Sequence, residues 1–113
     1  MSSKKSEKLL SEARKDIEVG NLNKAASALY FSVRKELEDL VKRMGYRLPR
    51  RDDKLANILR HTGYLEASIH FMELYELRKK ADYGDEYITE DDVQLALKFT
   101  EELLKILRNI ENS

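Results

Sequence analysis

The stretch from Leu22 to Met44, LNKAASALYFSVRKELEDLVKRM, decides the fold. At about 100° per residue, Leu22, Ala25, Ala26, Leu29, Val33, Leu37, Leu40, Val41 and Met44 hold one face for about six turns, and Gly45 closes the run. A helix of that length with one continuous apolar face belongs at the centre of an all-α core. Phe31 points almost opposite this face, beside Lys24, Lys35 and Glu38. It is read either as covered by a partner subunit or as a single exposed aromatic.

Outward from this helix the same periodicity recurs. Upstream, beginning near Ser3 or Ser6, Leu9, Leu10, Ala13 and Ile17 mark a first helix, stopped at Gly20-Asn21, which also starts the next. Downstream, Lys42 to Lys54 is a basic helix end and loop: Lys42, Arg43, Arg47, Arg50, Arg51 and Lys54 surround Pro49 and Tyr46, with only Asp52 and Asp53 in opposition. It reads either as charges complementing a helix C-terminus plus a solvated connection, or as a phosphate-contacting patch with Tyr46 able to stack on a base. Asp52 or Asp53 is expected to cap a short helix through Leu55, Ile58 and Leu59, ending by Gly63.

A fourth helix is expected from about Tyr64 to Asp82, with Ala67, Phe71, Leu74, Leu77 and Ala81 in one stripe. Arg78 falls inside that stripe, and Asp82, one turn on, sits at the negative end of the helix dipole, where a carboxylate is disfavoured. Thr89 and Asp92 form a capping box for a last helix to about Ile110, whose face of Val93, Ala96, Leu97, Thr100, Leu103, Leu104, Leu107 and Ile110 is widened by Leu95, Phe99 and Ile106. Short connections make neighbouring helices antiparallel. The expected fold is therefore a single domain over residues 1–113: an antiparallel up-and-down bundle of four long helices plus one short helix.

Composition narrows the function classes. The 113 residues suffice for one core. Lys plus Arg and Asp plus Glu both total 21, so global charge argues neither for nor against nucleic acid. Without cysteine there is no disulfide framework and no thiolate metal site. No apolar run is long enough for a membrane span, and the N-terminus lacks the apolar segment of a signal peptide, which makes the cytoplasm the default location. His61 and His70 have no His or Cys partner one turn away, so neither a metal site nor a cofactor is expected; Glu66, one turn before His70, reads as a surface contact. The four glycines stand as punctuation between helices rather than as a phosphate loop.

What remains is Tyr and Arg geometry. Tyr30 and Arg34 are one turn apart on the second helix; Tyr75, Arg78 and Asp82 occupy consecutive turns of the fourth. If those edges meet, they line either a groove suited to an anionic, planar ligand or a closed network between helices.

The run Ala25 to Arg34, followed by Leu77-Arg78-Lys79-Lys80-Ala81-Asp82-Tyr83-Gly84, resembles the HEPN family of nucleotide-binding domains from higher eukaryotes and prokaryotes. The resemblance spans about Leu9 to Ile110 and implies a helical bundle, usually a homodimer, that binds nucleotide or RNA. It also implies membership among ribonuclease toxins of toxin-antitoxin systems, or pairing with a small nucleotidyltransferase. Ribonuclease members follow the Arg with four to six residues and then a His; counted from Arg78 those positions hold Tyr83, Gly84 and Asp85. Only the Arg half of that motif transfers.

The function expected is thus a non-catalytic module that binds nucleotide or RNA, or a nucleotidyltransferase partner. Arg78 contacts phosphate, Asp82 orients Arg78 or a base, and Tyr30, Arg34, Tyr75 and Tyr83 complete the groove. The alternatives are a metal-independent endoribonuclease, with Arg78 and Asp82 as its catalytic candidates, and a purely structural dimer.

Overall fold

The computed structural model describes residues 4–83 and 87–111, the side chains of Tyr83 and Glu111 excepted. Five helices follow in order: α1 (Lys4–Glu18), α2 (Leu22–Arg43), α3 (Asp52–His61), α4 (Leu65–Tyr83) and α5 (Glu90–Glu111). Four are long and one is short, and no strand occurs among the described residues.

Helix α2 packs against α1, α4 and α5, while α3 rests on α4 and α4 on α5. Paired contacts fix the directions. Ser6 of α1 donates to the Ser32 carbonyl of α2 at 2.9 Å, and Lys24 of α2 lies 3.9 Å from Asp16 of α1. Ser27 of α2 meets Asp82 near the end of α4, whereas Tyr30 lies beside Phe71 and Tyr75. His70 of α4 faces Phe99 and Glu102 of α5, and Lys80 faces Asp92. Numbers rise on one helix as they fall on its neighbour, so the bundle runs up, down, up, down, with α3 as the short extra element.

Leu29, Val33, Leu37 and Val41 of α2 are wholly buried, together with Leu55 and Leu59 of α3, Phe71 of α4 and Val93 and Leu103 of α5. The apolar face read from α2 is the centre of the core. Gly20, Gly45 and Gly63 all carry positive φ and end α1, α2 and α3. At Gly45 (φ 86°) the Gly45 N–H donates to the Lys42 carbonyl and the Tyr46 N–H to the Val41 carbonyl, the paired closure that a left-handed residue permits.

The Thr89–Asp92 capping box is formed: the Asp92 N–H donates to Thr89 Oγ1 and the Thr89 N–H to Asp92 Oδ2, both at 3.1 Å. The start of α3 departs from expectation. Arg51 occupies the cap position without a side-chain cap, and the aspartates serve this end only through Asp53, whose Oδ1 accepts from the Lys54 N–H at 3.0 Å from inside the first turn. Asp52 instead turns inward to Tyr30 and Arg34, and Asp53 accepts from Arg51.

Candidate functional site

The contact between the middle of α2 and the end of α4 gathers most of the residues that the sequence singles out. Phe71, Leu74 and Ala67 anchor α4 in the core, which brings the next turn, Arg78, over the outer face of α2. Its guanidinium carbon lies 5.0 Å from the centre of the Tyr30 ring and 4.8 Å from that of Phe31. The two rings meet edge to face at 5.0 Å. A cation held over two aromatic faces gains about 0.5–2 kcal/mol per face, the larger value where water is excluded.

Phe31 has a contact within its own chain. It is 42% exposed, but its face is occupied by Arg78 rather than turned to open water. Tyr30, by contrast, is only 1% exposed and stacks on Phe71, so it forms the floor beneath Arg78 rather than a wall of an open groove.

Asp82 completes the arrangement. Its Oδ2 lies 3.2 Å from Arg78 Nε, and its Oδ1 accepts from the Ser27 hydroxyl at 3.3 Å. Two contacts thus offset the unfavourable placement of a carboxylate at a helix C-terminus. The Nε atom is buried and its N–H is not aimed at the carboxylate, so this contact is one of charge rather than a formed hydrogen bond. The terminal nitrogens of Arg78 make no hydrogen bond to any described residue, and the side chain is 25% exposed. A guanidinium fixed from below, steered from one side and still holding unused donors is equipped to receive an anion.

Tyr75 is half-buried, 6.3 Å from Tyr30, with Lys79 Nζ 5.2 Å over its own ring. Tyr83 ends α4, but its side chain lies outside the described residues. Arg34 is placed differently from the groove expectation. It donates through Nε to Glu38 at 3.0 Å, through one terminal nitrogen to Asp52, and through the other to the carbonyls of Pro49 and Arg50 at 3.3 Å. Its donors serve the loop between α2 and α3. The Tyr30 hydroxyl donates to the same Asp52 oxygen, and burial first, with the hydrogen bond and charge of Asp52, raises this phenol well above the ordinary tyrosine range.

Where α4 faces α5 lies a second polar cluster that local spacing did not fully assemble. His70 Nε2 is 3.5 Å from both Glu66 and Glu102, and the ring stacks on Phe99 at 5.1 Å. Glu102 comes from α5, too distant in the chain to be paired by helix spacing. These three are the group among the described residues that could hold a divalent cation, with ligand atoms within 4.8 Å of one another. His70 faces α5 and Arg78 faces α2, so this histidine does not stand beside Arg78.

An apolar groove of about 700 Å³ runs between α4 and α5, walled by Ile69, Met72, Leu77, Leu95 and Phe99. No helix among the described residues is long and apolar enough to cross a membrane. No curated protein matches the chain. The HEPN domain model matches residues 2–110, a span that takes in the α2–α4 contact and nearly all of the bundle. A match over that share of its length means that the chain belongs to the HEPN domain family.

Proposed function

We propose that this protein is a non-catalytic HEPN module that binds a nucleotide or an RNA end, with Arg78 as the phosphate contact. The observation that carries the reading is the guanidinium of Arg78, set over Tyr30 and Phe31 with its terminal donors uncommitted among the described residues. Asp82, tethered by Ser27, orients Arg78; Tyr75 and the exposed part of Phe31 offer ring faces to a base. Tyr30 supports from beneath.

Binding is favoured over RNA cleavage by what surrounds Arg78. His70 is engaged with α5, His61 lies at the end of α3, and the nearest carboxylate, Asp82, is already paired with the guanidinium. Proton transfer near neutral pH needs a group that titrates there, and no histidine packs against Arg78 among the described residues. Self-association as a homodimer, or pairing with a nucleotidyltransferase, is part of the same proposal. Exposed Leu65, Ile69 and Leu95 beside the α4–α5 groove support it.

The test is thermal melting with a panel of ribonucleoside monophosphates. Ligand at a hundred times its dissociation constant stabilises by about 2.7 kcal/mol, a rise of roughly 10 °C for a domain of this size. Wild type is expected to shift and Arg78→Ala to stay put, while bulk RNA incubated with wild type remains intact. Cleavage lost specifically in Arg78→Ala would replace binding with the endoribonuclease reading.

A further inference from the structure

The loop between α2 and α3 holds charges that the Arg78 site does not use. In a chain of zero formal net charge, the segment from Lys42 to Lys54 carries six cations and two acids. Both acids are consumed internally. Asp52 accepts from Arg34 and Tyr30, and Asp53 takes a two-pronged contact from Arg51, at 3.1 and 2.7 Å. Lys42, Arg47, Arg50 and Lys54 are exposed and form no ion pair with any described residue. Tyr46, 46% exposed, falls between Lys42 and Arg47 in the sequence.

The face is also built in advance of any partner. One end is held by the closure at Gly45, where the Tyr46 N–H donates to Val41. The other is held by Arg34, which grips the carbonyls of Pro49 and Arg50 together with the Asp52 carboxylate. Surface cations on a fixed backbone lose less freedom on binding than those on a free loop.

From this we infer that the α2–α3 loop binds the sugar–phosphate backbone of single-stranded RNA, with Tyr46 stacking on an unpaired base. Repeated anionic groups match four unbalanced cations, and an exposed ring in the same segment matches a splayed base. A membrane surface calls for exposed apolar side chains, and here Leu48 is packed against the core. The inference rests on the proposed RNA role but uses none of its contact residues, so the two can fail separately.

The experiment is fluorescence anisotropy with a labelled single-stranded RNA oligomer across a salt series. Four phosphate contacts give a slope of log affinity against log salt near −2.8, about fifty-fold weaker binding over a fourfold rise in salt. Replacing all four cations (Lys42→Gln, Arg47→Gln, Arg50→Gln, Lys54→Gln) should flatten that slope towards zero. The mononucleotide melting shift should persist, and it also shows that the variant folds. Tyr46→Ala should weaken binding about tenfold and keep the slope, since stacking is not a counterion effect. An unchanged slope in the four-site variant overturns the inference. So does equal binding of duplex RNA or phosphatidylserine vesicles that Tyr46→Ala leaves untouched. Loss of the mononucleotide shift in Arg78→Ala alone, with the salt slope intact, separates this face from the Arg78 site.

Discussion

Arg34, near the middle of α2, and Asp52, the first residue of α3, form an ion pair with only 14% and 13% of their side chains exposed. Arg34 also satisfies two loop carbonyls, so removal of Asp52 would leave a largely buried guanidinium without its main counter-charge. Asp52→Ala is therefore expected to destabilise the domain by about 3 kcal/mol, read from urea denaturation. An effect below about 1 kcal/mol would show that the loop is held by its backbone alone.

Tyr30 ties the same carboxylate to alkaline stability. Burial and Asp52 raise its phenol above the unfolded value of about 10. A group with a raised folded value contributes fully below the unfolded value, and its contribution is lost as pH climbs through the folded one. Wild type should thus lose stability above about pH 10, and Tyr30→Phe should show a flatter alkaline limb from a lower starting stability.

The other pH limb belongs to the start of α5. The Thr89 N–H, opposed in part by burial and helped by the Thr89 hydroxyl and Lys80, holds the Asp92 carboxyl below its ordinary range. A depressed acid contributes above its unfolded value, about 3.9, and the contribution disappears as pH falls through the folded value. Asp92→Asn should flatten the decline in melting temperature below about pH 4. Thr89→Ala should cost about 1 kcal/mol at neutral pH.

Phe31 separates binding from folding. Because it covers one side of the Arg78 guanidinium while remaining 42% exposed, Phe31→Ala should cost about 1 kcal/mol of stability. It should lower mononucleotide affinity at least as much, since Arg78 would lose half its bed. Calorimetric titration beside a melt distinguishes the two; equal affinity in the variant would remove Phe31 from the proposed site.

Regular elements were legible because their signals are local. The α2 face, the stops at Gly20, Gly45 and Gly63 and the Thr89–Asp92 box each depend on residues within a turn or two, and each appears as read, while Gly84 lies outside the described residues. Arg78 was legible as an anomaly, a cation on an apolar stripe. Its bed was not, because Phe31 looks surplus on its own helix until α4 is laid across it. Asp52 resembles a helix cap by position, yet a mostly buried arginine and phenol outcompete exposed N–H groups that water can serve. Arg34 followed the same logic: its acceptors include backbone carbonyls, which no residue type announces. Glu102 meets His70 only through the packing of α5 on α4.

Ser27, Tyr30, Phe31 and Arg34 occupy little more than two turns of α2, each with its own partner outside that helix or above its surface. A slip of one position along the helix swings every side chain by about 100°. Leucines and alanines tolerate such sliding, since one greasy contact replaces another. Guanidinium groups and carboxylates do not, because a displaced Arg34 would lose Asp52 and the carbonyls of Pro49 and Arg50. These few polar side chains therefore act as a combination lock on an otherwise slippery interior, selecting one alignment of the helices from several of similar oiliness.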